Sequence, residues 1–456
     1  MLIKFLKHNL LNKYLYGEFM KKYKNILIYG YGKSGQAVKK VLEKNQIKFS
    51  IYDNLVLEEE NYIPKLSKKI ITQFDLVVIS PGVSIYDKYV KLAIKNKIEV
   101  ISELEFGYRI KNKKSKIIAI TGTNGKTTTS SMINDCLIAS GINCVVAGNI
   151  GTPLTSVSEN DYDYIVCEVS SYQLEAVKQF KANIACIINI AEDHLDRHKN
   201  MKNYISCKLK IFNNQTRNDF AIINIDDEYF KLIMNVAKNR KIYTSKSTIN
   251  KGCFIKNNII TFKTNKETKV IHVNDIKLPK VFLDDILIVC AVVKTLGVEN
   301  KYIYEVVEKY FNLSNKHEIL TNTGNILVVN DSKATNIHAV LESASIINCE
   351  IILLLGGKDK KLNFDIFFNK VTANVKSIIV FGQVKSRVLK AAKKNKFNNI
   401  YAVKNLYAAC DMAVAIVKSG QAILFSPACS SYNEFANYAE RGEFFKKTIY
   451  QLLGNE

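Results

Sequence analysis

The chain has 456 residues, 47% of them hydrophobic, and its 65 lysines and arginines outnumber 42 aspartates and glutamates to give a formal net charge of +23. This length predicts about two or three domains with packed cores, and the lack of ~20 continuous apolar residues argues against a membrane-spanning helix. The lysines are spread along the whole chain and form no basic tract interleaved with aromatics. We therefore expect a solvated basic surface and no nucleic-acid partner.

The 10 cysteines are scattered and show no CxxC spacing. Most of them lie inside apolar runs, which favours buried free thiols over a disulfide framework or a zinc site. This usage predicts a reducing, cytoplasmic location.

Residues 1–19 resemble a targeting segment only superficially. Polar residues such as Lys4, Lys7 and Lys13 interrupt the apolar run that a signal peptide needs. We interpret these residues as an upstream extension or a loose surface helix, with the first strand beginning after Met20.

The first segment, residues 20–112, alternates short apolar runs with amphipathic stretches, as parallel sheets covered by helices do. Gly30, Gly32 and Gly35 form GxGxxG between a predicted strand and a predicted helix, and Asp53 follows about twenty residues on. Such glycines let a pyrophosphate approach the N-terminus of the helix. A dinucleotide or a different pyrophosphate ligand, such as a UDP-sugar, would use the same physics.

The second segment, residues 113–312, contains a shortened phosphate loop. Gly122, Gly125, Lys126 and Thr127 give GxxGKT in place of the usual GxxxxGK[ST]. Backbone N–H groups at the start of the following helix would face an anion, Lys126 would neutralise it, and Thr127 could ligate Mg²⁺. We therefore expect this segment to bind a nucleotide.

Acidic and histidine residues follow two further apolar strands of this segment. Glu168 ends the run YIVCE, where a phosphate loop needs a carboxylate for magnesium. His194 lies in a polar cluster after IACIINI, a position at which functional residues are common in nucleotide domains. Lys208 follows in SCKLKIF, where a lysine would ordinarily be interpreted as a surface charge. The third segment, residues 313–456, repeats the alternation and predicts a second Rossmann-like sheet.

Several motifs together resemble those of the Mur ligases, the ATP-dependent amide ligases that build the peptidoglycan stem peptide. They are TGTNGKTT (121–128), GNIG (148–151), EVSSYQLE (168–175), NIAEDHLDRH (189–198) and NDSKATN (330–336). NDSKATN, LLLGGKDK (353–360) and SPACSSYNEFANYAERGEFF (426–445) resemble in particular the branch of the family that adds D-glutamate. The motifs run from about residue 25 to 445 in the order of the family, so the resemblance covers nearly the whole chain.

The resemblance implies an α/β protein of three domains. These are a Rossmann-like N-terminal domain for a UDP-sugar (20–112), a central P-loop-type ATPase domain with a mostly parallel sheet (113–312), and a Rossmann-like C-terminal domain for ATP and the amino acid (313–456). The implied substrates are ATP, UDP-N-acetylmuramoyl-L-alanine and D-glutamate, and the implied cofactors are two Mg²⁺ ions and a CO₂-derived carbamate on Lys208. The resemblance also implies a monomer that is not inserted into a membrane.

Site residues are carried over by matching positions in the motifs. The catalytic set is Lys126, Glu168, His194 and Lys208, and the metal ligands are Thr127, Glu168, His194 and carbamylated Lys208. The expected ATP contacts are Gly122, Thr123, Asn124, Gly125, Lys126, Thr127, Thr128, Asp331 and Lys333. The expected UDP-sugar contacts are Gly30, Gly32, Lys33, Ser34, Gly35, Asp53, Ser80, Pro81, Gly82 and Asn149. The expected D-glutamate contacts are Thr335, Lys360, Ser431 and Tyr438.

The chain departs from the family pattern at two segments, 280–293 and 315–318. Where the family has GxHNxxN, Asp284 and Asp285 stand near the expected His-Asn and Ile288 near the later Asn. Where the family has HRxE, the chain reads NKHE, with His317 near the expected arginine. These positions concern adenine and ribose contacts.

Two alternatives remain open on the sequence alone. One is a sibling Mur ligase or a folylpolyglutamate-synthase-like ligase that uses another amino acid. The other is a nucleotide-binding or nucleic-acid-binding protein without ligase chemistry, against which the retention of Glu168, His194 and Lys208 argues.

Overall fold

The computed structural model describes residues 19, 22–56, 58–237, 240–323, 325–432 and 434–454. The predicted extension, residues 1–19, therefore lies outside the described residues except for Phe19. The chain divides into two compact units. The first unit comprises the chain up to Ile190 with Lys202–Val273 and Asp284–Val306, and the second comprises Ala191–Met201, Asn274–Leu283 and the chain from Val307 onward.

The first sheet belongs to the first unit, and its described strands are all parallel. They are β1 (Ile26–Tyr29), β2 (Phe49–Tyr52), β3 (Leu76–Ile79) and β4 (Glu99–Ser102), with helices α1 (Lys33–Lys44), α2 (Lys68–Ile71), α3 (Lys88–Lys95) and α4 (Glu103–Ile110). The order is β2-β1-β3-β4. The strand order reverses between β1 and β3. In an open parallel sheet, ligands bind at such a point, beyond the carboxyl ends of the strands. We therefore expect the carboxyl ends of β1 and β3 to flank a ligand crevice.

The second sheet also lies in the first unit. Its described strands are β5 (Lys116–Thr121), β6 (Cys144–Gly148), β7 (Tyr164–Glu168), β8 (Ile184–Ile187), β9 (Phe220–Asn224), β10 (Arg240–Ser245), β11 (Gly252–Lys256), β12 (Ile259–Lys263) and β13 (Glu267–His272). The order is β13-β12-β11-β10-β9-β8-β5-β7-β6, parallel from β6 to β11 and antiparallel from β11 to β13. The buried run IIAI belongs to β5, which lies between β8 and β7, so the phosphate loop follows an interior strand of this sheet.

Helices connect the strands of this middle part of the chain. They are α5 (Lys126–Ala139), α6 (Leu154–Val157), α7 (Ser171–Leu174), α8 (Leu195–His198), α9 (Met201–Leu209), α10 (Phe230–Val236), α11 (Leu283–Thr295) and α12 (Asn300–Lys309), with 3-10 turns at Lys210–Phe212, Val273–Asp275 and Lys280–Phe282.

The third sheet belongs to the second unit. Its described strands are β14 (Glu318–Thr323), β15 (Ile326–Asn330), β16 (Ile351–Gly357), β17 (Val375–Gly382), β18 (Ile400–Ala402) and β19 (Ala422–Ala428), and its helices are α13 (Ile337–Ser345), α14 (Phe364–Lys370), α15 (Lys385–Lys394), α16 (Leu406–Ile416) and α17 (Tyr438–Leu453). The order is β14-β15-β19-β16-β17-β18, and β14 alone among these described strands pairs antiparallel. Apolar clusters cover both faces of the sheet, so its central strands are continuous hydrophobic runs.

These sheets confirm the predicted α/β class with mostly parallel strands. The exact domain boundaries stay a prediction. No helix among the described residues is long and apolar enough to span a bilayer.

Candidate active site

The glycine turn after β1 forms one wall of a cavity of about 360 Å³. Gly30 has φ +92, and the Ser80 hydroxyl donates a hydrogen bond of 2.7 Å to its carbonyl oxygen. A Cβ on Gly35 would lie 2.2 Å from the same oxygen, so the turn requires glycine there. Of the expected UDP-sugar residues, the cavity is lined by Gly30, Gly32, Lys33, Ser34, Asp53, Ser80, Pro81 and Gly82.

Asp53 shapes the rim of this cavity through backbone contacts. One carboxylate oxygen accepts the N–H of Tyr31 at 2.7 Å, and the other accepts the N–H of Leu55 at 3.0 Å. Asp53 thus fixes the glycine turn and its own loop in one arrangement. Tyr31 and Asn54, which were not among the residues expected from the motifs, also line the cavity.

The phosphate loop lies between β5 and α5. Gly125 precedes α5 with φ +86, and a Cβ built on it would lie 1.9 Å from the Asp285 carboxylate, so glycine is required. The side-chain oxygen of Asn189 accepts the N–H groups of Thr123 at 3.1 Å and Asn124 at 2.9 Å. Asn189 therefore holds the loop open from β8, a role that the sequence analysis missed.

Lys126 folds back over its own loop. Its Nζ donates to the carbonyl oxygens of Gly122 and Thr123, both at 2.9 Å. An ammonium held at this point is close to any anion that the loop N–H groups bind, because Lys126 begins the helix whose N-terminus faces that anion. This arrangement suits the predicted contact with nucleotide phosphates.

Glu168 lies at the carboxyl end of β7, and only 2% of its surface is exposed. One carboxylate oxygen accepts the hydroxyl of Thr127 at 2.9 Å, and the other accepts the side-chain amide of Asn149 at 2.8 Å. The structure thus brings together an expected magnesium pair, Thr127 and Glu168, and an expected sugar contact, Asn149.

The donor set at this point fits magnesium. Within the part of the chain that the structure describes, no group of three or more His, Cys, Asp or Glu side chains forms a metal cage. Magnesium, however, prefers one or two protein oxygens together with substrate phosphates. The Thr127 hydroxyl and the Glu168 carboxylate supply such oxygens beside the phosphate loop.

Lys208 is buried, with 1% of its surface exposed. Its Nζ donates to the Gly122 carbonyl oxygen at 2.7 Å and contacts the Thr121 hydroxyl at 3.3 Å. It also lies 4.8 Å from the ring centroid of Tyr204, whose hydroxyl is 3.0 Å from that of Thr123. The ordinary interpretation of Lys208 as a surface charge is therefore wrong, because the side chain lies against the phosphate loop.

His194 belongs to the second unit. It precedes α8 in the left-handed region, with φ 54 and ψ 30. Its Nε2 lies 3.6 Å from the carboxylate of Asp193, which pairs with Lys360 Nζ at 2.7 Å. Lys360 also donates to the carbonyl oxygen of Thr335 at 3.0 Å. The second unit thus brings together His194 and two expected D-glutamate residues.

Burial and neighbouring charges shift the pKa of Asp193 in opposite directions. Burial raises the pKa of its carboxyl, but the Lys360 ammonium, the neighbouring His194 and the hydrogen bonds outweigh burial and hold that pKa below its usual value. Asp193 is thus a carboxylate that fixes Lys360 in place.

Asp331 follows β15 and is enclosed by hydrogen bonds. Its carboxylate accepts the backbone N–H of His317 at 3.0 Å and the hydroxyl of Ser426 at 2.9 Å. His317 Nδ1 in turn lies 2.6 Å from the hydroxyl of Ser343. Burial raises the pKa of Asp331 to about 7 and lowers the pKa of His317 to about 4.

We expect Asp331 to make the stability of the protein pH-dependent. Its pKa rises from 3.8 in the unfolded chain to about 7 in the folded one, so the folded state retains a proton that the unfolded state loses. This contribution is complete below about pH 4, falls as the pH rises to about 7, and amounts to roughly 4 kcal/mol at about 1.4 kcal/mol per pKa unit. Asp331→Asn should therefore show a smaller loss of melting temperature between pH 5 and pH 8 than the unmodified protein. Parallel melting curves would contradict this assignment.

Arg441 connects the two loops that carry most of the expected C-terminal contacts. It is 1% exposed, and it donates to the hydroxyl of Ser332 at 3.1 Å, to the Ser332 carbonyl at 2.7 Å and to the Cys429 carbonyl at 2.9 Å. Ser431, two positions after Cys429, is buried, and Tyr438 begins α17 with its ring centroid 5.5 Å from Lys333 Nζ. Arg441 lies in the motif SPACSSYNEFANYAERGEFF, but the motif alone does not indicate its role.

The two segments that depart from the family pattern, 280–293 and 315–318, contact different residues. Asp284 pairs with Lys246 at 3.0 Å in the first unit. His317 belongs to the hydrogen-bond network around Asp331. If Glu318 is aligned with the glutamate of HRxE, the arginine position, two residues before it, is occupied by Lys316. Lys316 Nζ lies 4.1 Å from the ring centroid of Phe282 in the second unit. A cation is therefore retained at the arginine position.

Family models match successive parts of the chain. They are described as the Mur ligase MurD-like N-terminal domain at residues 24–102, the Mur ligase middle domain at 120–283 and the Mur ligase glutamate ligase domain at 317–429. A relative from Thermoanaerobacter sp. (strain X514), named UDP-N-acetylmuramoylalanine–D-glutamate ligase, is 36% identical over 449 residues, covering 94% of this chain and 98% of the relative. The chain belongs to the Mur ligase family.

Other similarities agree with this family. A relative of the same name from Natranaerobius thermophilus is 34% identical over 455 residues, covering 94% of this Mur ligase and 98% of the relative. The solved structure of a MurF ligase from Thermotoga maritima in complex with ADP is 15% identical, with a TM-score of 0.56 over 95% of this chain and 96% of that one. That likeness shows the fold. As a member of the family, this Mur ligase is an ATP-dependent, amide-forming ligase.

Proposed function

We propose that this chain joins D-glutamate to UDP-N-acetylmuramoyl-L-alanine, coupled to the conversion of ATP to ADP and phosphate, in the synthesis of peptidoglycan precursors. The observation that carries the proposal is the 36% identity, over 94% of the chain, to a relative named as the ligase of these two substrates. The expected cytoplasmic location is part of this proposal, and the monomeric state stays a prediction.

The proposed chemistry proceeds through an acyl phosphate. The carboxylate of the L-alanyl group is a poor acyl donor because its leaving group would be oxide. Attack by a carboxylate oxygen on the γ-phosphorus releases ADP and gives an acyl phosphate, whose leaving group is phosphate. The amine of D-glutamate then adds to the carbonyl carbon, and the tetrahedral intermediate collapses to the amide and phosphate as the amine loses a proton.

Residues of the first unit are proposed to hold the nucleotide. The N–H groups of the loop from Gly122 to Gly125 and the start of α5, including Thr128, would face the phosphates, with Lys126 at the β- and γ-phosphates. Thr127 and Glu168, 2.9 Å apart, would supply oxygens to one magnesium ion. His194, a residue of the second unit, is proposed as a ligand of a second magnesium ion. When bound, magnesium would neutralise the crowded phosphate and carboxylate oxygens, which is usually the largest catalytic contribution in such reactions.

Lys208 is proposed to carry a carbamate. Carbamylation by CO₂ converts an ammonium into an anionic group with two oxygens, and oxygen is the ligand that magnesium prefers. The position of Nζ 2.7 Å from the Gly122 carbonyl supports this proposal, because a carbamate there would begin at the phosphate loop.

Different residues are proposed to bind the UDP-sugar and D-glutamate. The cavity behind Gly30 and Ser80 would hold the UDP group, and Asn149 would contact the muramoyl part. Thr335, Lys360, Ser431 and Tyr438 would surround the carboxylates of D-glutamate, with Asp331 and Lys333 on the nucleotide. Lys360 is the cation best suited to a dicarboxylate amino acid.

An amino-acid panel tests the proposed substrate. Purified protein, ATP, Mg²⁺ and UDP-N-acetylmuramoyl-L-alanine should release ADP and form the amide with D-glutamate, and much more slowly with L-glutamate, L-lysine or L-alanine. ADP release with D-glutamate no faster than with L-lysine or L-alanine would favour a sibling ligase with another amino acid. If no amino acid gives a product, the result would favour a nucleotide-binding protein without ligase chemistry.

A further inference from the structure

Helix α4 links the sheet that carries the UDP cavity to two later segments of the first unit. It follows β4 directly, and β4 pairs with β3, the strand that ends beside Ser80 of the cavity. On its other side α4 packs against α6 and against the segment after α7. Those two segments come shortly after the site residues Asn149 and Glu168.

Glu105 is the centre of the contact with the segment after α7. Its side chain is fully buried, and its oxygens accept the N–H groups of Lys178 at 2.9 Å, Gln179 at 2.8 Å and Phe180 at 2.8 Å. Arg109 Nε donates to the same carboxylate at 2.7 Å. A carboxylate that accepts successive backbone N–H groups fixes the position of that segment closely, because each bond restrains a different peptide.

Arg109 extends this network toward the first sheet. Its Nη2 donates at 2.9 Å to Glu99, the first residue of β4, and Glu99 also contacts Lys178 Nζ at 3.3 Å. The backbone N–H of Ser102 donates to the carbonyl of Ala176 at 3.1 Å. The sheet that carries the UDP cavity is therefore bonded at several points to the segment that follows Glu168.

The contact with α6 is close and separate from the Glu105 network. Glu103 accepts the N–H of Thr155 at 2.8 Å. A Cβ built on Gly107 would lie 2.7 Å from that same backbone nitrogen and 3.1 Å from the Leu154 carbonyl carbon. The helix can approach α6 this closely only because Gly107 has no side chain.

We propose that Glu105 is a positioning residue for ligation: through α4 it holds the UDP cavity at the distance from Glu168 and the phosphate loop at which the substrate carboxylate meets the γ-phosphate. This inference rests on the proposed function, since it needs a substrate that spans from the cavity to the loop. Reaction rates depend steeply on such alignment, and a displacement of about 1 Å can cost ~100-fold. We expect UDP binding and nucleotide binding, each taken alone, not to depend on Glu105.

The test compares Glu105→Gln, Gly107→Ala and the unmodified protein. Glutamine removes one acceptor and the charge that pairs with Arg109, whereas Gly107→Ala keeps every charge and displaces α4 by steric contact with Thr155. Asp161→Asn is the matched control, because it removes a carboxylate of the same unit whose side chain is 59% exposed. UDP and Mg-ADP binding are measured by calorimetry, and ligation by kcat and by amide formed per ADP released.

Both site variants should bind UDP and ADP within about twofold of the unmodified protein, while kcat falls about 10-fold or more and ADP release exceeds amide formation. Unchanged kcat in both variants would overturn the proposal, as would a loss of kcat matched by equal losses of UDP and ADP binding, which would indicate a folding defect. If Glu105→Gln does not fold, Glu105→Asp, which keeps the charge but shortens the side chain that reaches the N–H groups of residues 178–180, takes its place in the comparison. The kcat comparison uses whichever amino acid the panel selects, so failure with D-glutamate counts against the proposed function and not against Glu105.

Discussion

Lys208→Ala is expected to lower kcat for ligation by about 10²–10³-fold, the usual cost of removing one group that stabilises charge in a transition state. The side chain is 1% exposed and its Nζ is 2.7 Å from the carbonyl of Gly122, so truncation removes a group in direct contact with the phosphate loop. Under the proposed carbamate, short carboxylic acids such as acetate should partly restore activity to this variant. Steady-state phosphate release with and without the acid measures both effects.

Two further variants separate the carbamate from a simple ammonium. Lys208→Arg keeps a cation and hydrogen-bond donors but cannot form the carbamate at neutral pH, so it should be as inactive as the alanine variant. Lys210→Ala is the matched control, because Lys210 lies two positions on and donates at 2.6 Å to the Glu175 carbonyl, away from the phosphate loop. High activity in Lys208→Arg, or no rescue of Lys208→Ala by any short acid, would contradict the carbamate.

The contrast between Lys208 and Lys210 also illustrates what the sequence could not reveal. Both lie in SCKLKIF, and nothing in composition or spacing distinguishes the buried lysine from its neighbour. Side chains two positions apart do not share a face of a helix, so Lys208 at the end of α9 contacts the Gly122 carbonyl and Lys210 contacts the Glu175 carbonyl. Only the resemblance to a family selected Lys208, and its burial against the loop required the tertiary structure.

Features that depend on a local sequence pattern could be predicted more readily. Apolar runs predicted the strands that precede Gly30 and Gly122 and the strand that ends at Glu168, because buried parallel strands are continuous hydrophobic segments. The hairpin of β11 and β12 was not named, although Asn257 and Asn258, with φ 50 and 60, form the kind of two-residue turn that joins antiparallel strands. That signal was present in the sequence.

Roles that depend on partners distant in the sequence could not be predicted from it. Asn189 acts by accepting N–H groups 65 and 66 positions away in the chain, and Glu105 by accepting groups 73 to 75 positions away. An asparagine after a strand and a glutamate in a helix are ordinary residues until the fold places backbone donors against them. A single sequence carries no record of such pairings.

Lys360→Gln is expected to raise the KM for D-glutamate by about 100-fold, which corresponds to about 2.7 kcal/mol of binding free energy. Losing one partner of a buried, hydrogen-bonded charge pair typically costs about 2–5 kcal/mol. Lys360 is the predicted cation for the amino-acid carboxylates, and Asp193 at 2.7 Å and the Thr335 carbonyl at 3.0 Å hold it in place. The KM values for ATP and for the UDP substrate should change by less than about threefold, since those contacts are assigned to other residues.

The neighbouring lysine provides the control for this prediction. Lys361 is exposed, so Lys361→Gln removes the same charge without a buried partner and should leave the KM for D-glutamate within about twofold. Asp193→Asn addresses the other side of the pair: Asp193 also lies 3.6 Å from His194, so its neutralisation should lower kcat more than it raises the KM for D-glutamate. If Lys360→Gln instead lowers kcat and leaves the KM for D-glutamate unchanged, Lys360 serves to position the Asp193–His194 loop, and the amino-acid carboxylates are bound by other residues.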